Sequence, residues 1–128
     1  MKIIGIGVDI VENNRIKRSI KNKRFINRIF GKNEILIAKN LINKTNFFSK
    51  RFAAKEAFVK ALGLGFRNNL NFKDIQVVND KLGKPYYLIN SKINNLIKKR
   101  KKVKKFDLFL SISDENEYSI AFTIIQKI

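Results

Sequence analysis

Apolar residues recur along this chain with the two-residue spacing of strands in some stretches and with helical spacing in others. An isoleucine- and valine-rich run opens the chain, and two alternating segments around a short polar turn close it. Such alternation places apolar side chains on one face of a strand. It predicts strands at Lys2 to Val11, Ile75 to Asn79, Tyr86 to Ile89, Phe106 to Ser113 and Tyr118 to Gln126, the last two forming a hairpin around a turn at Asp114 to Glu117.

Helical spacing and helix-boundary residues predict the remaining elements. The expected helices are Glu12 to Phe30 with a break near Asn22, a segment from the capping residue Gly31 to about Leu41, the stretch Arg51 to Gly63, and Ser91 to Lys102. Asn43 to Phe48 is predicted to be a linker and residues 64–71 a polar turn. This order of elements indicates an α+β fold, with a mainly antiparallel sheet and helices packed on it, and the length fits a single domain over 1–128.

The stretch Arg51 to Gly63 is apolar around most of its circumference, which predicts a helix buried on several sides. Ser49 is its expected N-cap, and Gly63 is the usual residue just past a helix end. Alanines recur every four residues and form a smooth stripe to which another backbone can come close: Ala53, Ala57 and Ala61. Gly5 and Gly7 in the first strand likewise mark places of close backbone approach.

Composition excludes much chemistry. The chain has no cysteine and no histidine, so disulfides, thiolate nucleophiles, zinc–thiolate sites and histidine relays are excluded. A general base must then be a carboxylate, a lysine, a tyrosine or a metal-bound water. A bound metal should be a hard, oxygen-preferring ion such as magnesium.

The formal charge of +18 indicates an anionic substrate or partner. The basic residues are spread over most of the chain, and the run Lys98 to Lys105 is typical of a solvated helix end. Nucleic acid is therefore not the favoured partner. No apolar run reaches the length of a membrane span, and Met1 to Val11 is too short and glycine-rich for a signal peptide. We therefore expect a cytoplasmic protein without a membrane partner.

Two acidic residues occupy apolar surroundings. Asp9 lies between Val8 and Ile10 near the end of the first strand, and Glu56 lies within the central helix. A carboxylate in such a setting must be paired, metal-bound or protonated. Each also has a simpler interpretation: Asp9 as the cap of the next helix, and Glu56 as half of a solvated pair with Lys60, four residues later.

The final hairpin offers a further candidate surface. Ser111 and Ser113 share one face of its first strand, and small residues share one face of the second, at Ser119, Ala121 and Thr123. If these faces coincide, they form a shallow polar surface for a ligand. An ordinary half-exposed sheet face is an equally good interpretation.

Five segments in this order and spacing resemble one known family: GIGVDIV followed by RI at Arg15, RFINRIFGKNE from Arg24, RFAAKEAFVKALGLG from Arg51, NDKLGKP from Asn79 and LSIS from Leu110. Together they resemble the holo-[acyl-carrier-protein] synthases, the small trimeric group of 4′-phosphopantetheinyl transferases. The resemblance covers essentially the whole chain and implies that fold. It also implies an enzyme that moves 4′-phosphopantetheine from coenzyme A to a serine of apo acyl carrier protein, with Mg²⁺, and releases adenosine 3′,5′-bisphosphate in support of fatty acid biosynthesis.

The resemblance assigns roles to residues by their motifs. Asp9 and Glu56 are the expected magnesium ligands, and Glu56 and Lys60 the catalytic residues, with either Glu56 or a metal-bound water as the base. Coenzyme A contacts are expected at Arg51, Lys55, Lys60, Gly63, Gly83, Lys84, Pro85 and Ser111.

Partners also follow from the resemblance. The arginine-rich first helical region resembles the surface that receives the acidic carrier protein, through Arg15, Arg18, Lys21, Arg24 and Arg28. A homotrimer with active sites between subunits is expected.

One departure from the family pattern is Asp114, where the family usually has a histidine thought to lie near the coenzyme phosphates. The two alternatives are an inactive member of the family and a basic nucleic-acid-binding module without catalysis.

Overall fold

The structure is a computed structural model that describes residues 1–63 and 70–128. Most of the turn predicted at 64–71 lies outside these residues. Within the described ranges, no helix combines the length and the apolar character that crossing a bilayer would require.

Ten main elements follow one another along the described chain. They are β1 (Lys2–Glu12), α1 (Asn13–Ser19), α2 (Lys23–Ile29), α3 (Lys32–Lys39), α4 (Lys44–Leu62), β2 (Gln76–Asn79), β3 (Pro85–Leu88), α5 (Ser91–Lys101), β4 (Phe106–Asp114) and β5 (Tyr118–Lys127), with a short 3₁₀ turn at Phe72–Asp74. The predicted strands are confirmed to within two residues at their ends. The helix break near Asn22 is confirmed as well, because the Asn22 side chain accepts a hydrogen bond from the backbone of Arg24 and starts α2.

The central helix α4 begins earlier than its sequence indicates. Its N-cap is Asn43, whose side chain accepts a hydrogen bond from the backbone N–H of Asn46 at 3.1 Å. The predicted linker at Asn43 to Phe48 is therefore wrong, and Ser49 is a buried residue inside the helix instead of its cap. The predicted end is confirmed, since Gly63 has the left-handed backbone of a helix C-terminus, with φ 77°.

The strands form two antiparallel sheets, which confirms the α+β class. β5 lies in the middle of a three-stranded sheet with the order β1-β5-β4, and β2 pairs with β3 in a separate two-stranded sheet. One continuous apolar core lies between these sheets and the helices, and nine of the 19 residues of α4 belong to it.

The strand β1 packs directly on the backbone of α4. A Cβ atom on Gly7 would lie 1.9 Å from the carbonyl oxygen of Ala57, and one on Gly5 would lie 2.3 Å from that of Ala61. No real side chain tolerates such distances, so both positions require glycine. The predicted close approach at the glycines and the predicted alanine stripe are therefore two sides of one contact.

The register of the hairpin separates the two small-residue faces. Ser111 lies opposite Phe122, whereas Thr123 lies opposite Leu110 on the other face. Ser119, Ala121 and Thr123 are buried toward the core, while Ser111 and Ser113 are exposed. The shallow polar surface considered for the hairpin does not form, because one-residue offsets place the two sets on opposite sides of the sheet.

Candidate active site

The glycine contact with α4 also determines where Asp9 lies. Side chains alternate along a strand, so Asp9 shares the face of Gly5 and Gly7 that is turned toward α4. Asp9 pairs with Ala121 within the sheet, and its side chain is 14% exposed. Because Asp9 lies three residues before the end of β1, the interpretation of Asp9 as a helix cap is wrong.

Lys60 connects α4 to this strand. Its ammonium group donates hydrogen bonds to Asp9 Oδ1 and to the carbonyl oxygen of Val8, each at 3.0 Å. The lysine side chain is 53% exposed and remains accessible to a ligand. Lys60 therefore forms its ion pair with the strand carboxylate and not with Glu56, which replaces the simple i,i+4 interpretation.

Glu56 is half-buried beside this ion pair. Burial raises the pKa of its carboxyl group, and the negative charge of Asp9 raises it further. The positive charges of Lys60 and Arg15 act in the opposite direction. The two carboxylates are thus close enough to repel one another, with two cations beside them.

This donor set fits a hard divalent cation. Asp9 and Glu56 supply carboxylate oxygens, and a cation between them would relieve their mutual repulsion. Among the described residues, no cluster of three or more histidine, cysteine, aspartate or glutamate side chains could hold a metal. Two carboxylates, with water and substrate oxygens filling the remaining positions, match the way magnesium is usually bound.

Lys55, which was expected at the coenzyme, lies instead in the core. Its side chain is fully buried, and its ammonium group donates to Glu34 Oε1 at 2.6 Å, to the Ile29 carbonyl at 2.9 Å and to the Phe72 carbonyl at 3.1 Å. An ammonium group has three N–H donors, and three protein oxygens accept from it here. Burial lowers the pKa of Lys55, while Glu34 raises it. Lys55 is therefore not among the proposed coenzyme contacts.

Arg51 is buried but lies at the wall of a cavity. Its guanidinium group donates to Glu34 Oε2 at 3.3 Å and to Asn79 Oδ1 at 2.8 Å, and it stacks on Phe47 at 4.5 Å. The cavity has a volume of about 140 Å³, and its wall includes three of the residues expected to contact coenzyme A: Arg51, Gly83 and Pro85. Asp114 also lines it and accepts a hydrogen bond from the Asn46 side chain at 2.8 Å.

The other expected coenzyme residues lie at three separate places. Gly63 ends α4 next to Arg100, which donates to the Gly63 carbonyl at 3.1 Å. Lys84 is exposed in the turn before β3, where its backbone N–H donates to Asp80 Oδ1. Ser111 is exposed on the outer face of the three-stranded sheet.

Six of the expected site residues therefore form two groups on different sides of α4. Arg51 and Lys60 are nine residues apart, which amounts to a rotation of about 180° and a rise of about 13 Å along a helix. The carboxylate site contains Asp9, Glu56 and Lys60, whereas the cavity lies beside Arg51. The structure brings the members of each group together but does not bring one group to the other within one chain.

A basic groove lies along the first two helices. Its wall contains three of the arginines expected to receive a carrier protein, and the lining residues are Arg18, Ser19, Asn22, Arg24, Phe25 and Arg28. Lys21 is exposed in the turn between the two helices. Arg15 is different, because its guanidinium lies over the Phe52 ring at 5.9 Å and its charge acts on Glu56.

The sequence model of the 4′-phosphopantetheinyl transferase superfamily matches residues 5–123. The chain belongs to this superfamily. Within it, the holo-[acyl-carrier-protein] synthase of Pelagibacter ubique is 63% identical over 127 residues, which cover 99% of both chains. The family resemblance stated from the motifs is thereby confirmed.

Solved structures of this group have the same fold. The holo-[acyl-carrier-protein] synthase of Neisseria meningitidis superposes with a TM-score of 0.86 at 36% identity, over 98% of this chain and 99% of that chain. The enzyme from Bacillus anthracis, crystallised in complex with CoA (3′,5′-ADP), gives a TM-score of 0.82 at 35% identity over the full length of both. The expected phosphopantetheinyl transferase fold is confirmed.

Sequence patterns gave no functional role to two residues of this transferase chain. Glu34 lies three residues after the capping residue Gly31, whose backbone N–H donates to it, and it also binds both Arg51 and Lys55. Asn46 fell within the predicted linker, yet it holds Asp114 at the cavity. Glu34 had a detectable signal, because its capping position gives it a defined direction, but its partners lie 17 and 21 residues away.

Proposed function

We propose that this transferase moves 4′-phosphopantetheine from coenzyme A to a serine of apo acyl carrier protein, in a magnesium-dependent reaction that releases adenosine 3′,5′-bisphosphate. The observation that carries the proposal is the meeting of Asp9, Glu56 and Lys60 on one side of α4. Two carboxylates can hold a magnesium ion against a diphosphate, and an accessible ammonium group can bind the phosphate oxygens.

Asp9 and Glu56 are the residues that would hold Mg²⁺. When bound, the ion would polarise the diphosphate of coenzyme A and neutralise charge on the departing nucleotide. The raised pKa of Glu56 supports this assignment, because a nearby cation would restore the ionised form that burial and Asp9 disfavour.

The chain's own side chains have separate tasks. Lys60 has an exposed ammonium group that can exchange its bond to Asp9 for phosphate oxygens of the coenzyme. The serine oxygen of the carrier forms a bond to the phosphorus that bears pantetheine, and the bond from that phosphorus to the nucleotide breaks with its electrons. The serine proton goes to Glu56 or to a water molecule at the site.

Coenzyme A contacts at Gly63, Lys84 and Ser111, and at the cavity residues Arg51, Gly83 and Pro85, belong to the same proposal. The separation of Arg51 from Glu56 around α4 supports an active site that two subunits complete. The proposed homotrimer has a further support in the outer face of the three-stranded sheet, which is apolar and exposed at Ile6, Val8, Ile10, Phe109, Ile120 and Phe122.

The groove along α1 and α2 is the proposed docking surface for the acidic carrier protein. Its arginines are exposed, and their fixed forks suit the carboxylates of such a partner. A role in fatty acid biosynthesis and a cytoplasmic location stay predictions from the sequence.

A mass-shift assay tests this function directly. Pure protein is incubated with coenzyme A, Mg²⁺ and apo acyl carrier protein, and the carrier is then analysed by intact mass spectrometry. The expected result is a gain of one phosphopantetheine mass, which chelation of the metal abolishes. No gain with a folded protein would contradict the proposal and favour the inactive family member motivated by Asp114.

A further inference from the structure

The buried carboxylate of Glu34 holds two cations and has no task in the proposed chemistry. Oε1 of Glu34 accepts from Lys55 at 2.6 Å and from the backbone N–H of Gly31 at 3.1 Å, and Oε2 accepts from Arg51 at 3.3 Å. Both oxygens are thus used, and the side chain is 4% exposed. Glu34 is held by α3 and α4 together, so it cannot easily reorient.

Lys55 fixes this carboxylate from the core side. Its ammonium group also donates to carbonyl oxygens at the end of α2 and in the 3₁₀ turn, at Ile29 and Phe72. A single buried group therefore joins α2, α3, α4 and the turn before β2. This arrangement is rigid around Glu34 and Lys55, because neither can move without leaving a buried polar group unsatisfied.

The same network continues from Glu34 to the cavity. Arg51 donates onward to Asn79, and the Asn79 side chain donates to the Gly83 carbonyl at 2.9 Å. Glu34 thereby holds, through Arg51, two further residues of the cavity wall. Three of the five N–H groups of Arg51 have no acceptor within the part of the chain that the structure describes.

Charge counting shows what this wall is suited to bind. Arg51 and Lys55 carry two positive charges against the single negative charge of Glu34. Asp74 also acts on Lys55 but forms its own ion pair with Lys92, so the set keeps one excess positive charge. Lys50 and Asp114, which also line the cavity, have opposite charges and offset one another. A buried excess charge is costly unless a ligand compensates it, so the wall favours an anionic group.

We propose that Glu34 is a positioning residue, whose carboxylate, fixed by Lys55, holds the guanidinium of Arg51 in the cavity wall to bind an anionic group of coenzyme A. This inference rests on the proposed function. It also gives Lys55 a role in coenzyme binding that is exerted through Glu34 instead of by contact.

Steady-state kinetics with saturating carrier protein tests the proposal. Because Glu34→Gln alone leaves two buried cations uncompensated, the main variant is the double substitution Glu34→Gln with Lys55→Met, which removes both members of the pair. We expect the KM for coenzyme A to rise about tenfold, as for the loss of a charged hydrogen bond, while kcat stays within about twofold. Glu117→Gln, at an exposed glutamate of the hairpin turn, is the matched control.

A cycle with Arg51→Met separates positioning from mere stability. Arg51→Met should raise the same KM at least as much, and adding the double substitution to it should raise the KM no further, because Glu34 acts only through Arg51. The inference would be overturned by a folded double variant with an unchanged KM, or by changes in KM that multiply when the substitutions are combined. In either case, transfer by the wild type would still support the proposed function. If wild type neither transfers the group nor binds coenzyme A by calorimetry, both proposals fail.

Discussion

Asp9 and Glu56 are the two side chains on which the proposed chemistry depends. Glu56 is half-buried and repelled by Asp9, and the ion pair of Asp9 involves the exposed Lys60, so neither carboxylate should contribute much to stability. We therefore expect Asp9→Asn and Glu56→Gln to lower kcat/KM at least about 100-fold, as for loss of a transition-state contact, without unfolding the protein. The mass-shift assay, followed over time, gives the rate, and thermal unfolding gives the stability.

Asp107→Asn is the matched control for these carboxylates. Asp107 is exposed on β4 opposite Gln126, away from the carboxylate site, and should keep the wild-type rate. Near-normal activity in both the Asp9 and the Glu56 variants would show that the metal assignment is wrong even for a member of this family.

The raised pKa of Glu56 makes a second prediction for the metal-free protein. Glu56 has its ordinary pKa of 4.5 in the unfolded chain and a higher one in the folded state, so its contribution to stability is present at low pH and is lost as the pH rises through these two values. Glu56→Gln should remove this loss and raise the Tm at neutral pH.

The neighbours of Glu56 should shift its titration in opposite directions. Removing the cation with Lys60→Met should raise the pKa of Glu56 further, and removing the anion with Asp9→Asn should lower it. NMR titration of the Glu56 carboxyl carbon measures both. Shifts of the same sign would show that these charges do not share one site.

At the scale of elements, the contact of β1 with α4 determines both stability and the site. Gly7→Ala would place a methyl group within 1.9 Å of the Ala57 carbonyl oxygen, so the strand must move away from the helix. We expect a loss of at least about 2–3 kcal/mol in the free energy of unfolding, as for overpacked cores. Asp9 would move with the strand, so catalysis should also fall in whatever fraction remains folded.

Gly83→Ala is a useful comparison for Gly7. Gly83, unlike Gly7, has a left-handed backbone, with φ 87°, and no atom lies within 4 Å of a Cβ built there. Its substitution should cost only the strain of a left-handed residue, about 1–2 kcal/mol. Urea unfolding measures both, and equal losses would contradict the close approach of β1 to α4.

At the scale of the whole molecule, the outer face of the three-stranded sheet is an apolar surface that a single chain leaves exposed to solvent. Phe122 is 40% exposed in the middle strand β5, with Val8 opposite it in β1. If this face forms the trimer, Phe122→Lys should produce monomers that have lost activity, as measured by light scattering and the mass-shift assay. Ile42→Lys, at a fully exposed isoleucine before α4, should leave both unchanged.

Mixing two impaired variants tests whether subunits share the active site. Asp9→Asn removes the carboxylate site and Arg51→Met changes the cavity, but each variant retains the group that the other lacks. If neighbouring subunits each supply one group, random reassembly of an equal mixture should restore about a quarter of the sites. Activity that never exceeds that of the separate variants would place both groups in one chain.

Local signals in the sequence predicted the helices and strands of this protein and singled out Asp9 and Glu56. Strand alternation, the glycine at the end of α4 and the turn residues act through backbone conformation over a few residues, and this is why they can be recognised without a structure. The alanine stripe and the paired glycines also predicted a tertiary contact, because very small or absent side chains indicate close packing whatever the partner is.

Tertiary structure alone decided which charges meet. Lys55 and Lys60 lie five residues apart on one helix, and each could have been a surface lysine, yet one is fully buried against Glu34 and the other bridges to Asp9. The pairing of β4 with β5 decided which face each hairpin residue occupies. The cap at Asn43 is a local contact, but only the fold brings Asn46, in the first turn of α4, to Asp114. Burying a charged side chain costs its hydration free energy, so its role depends on the partner that compensates this cost. Only folding brings that partner to it.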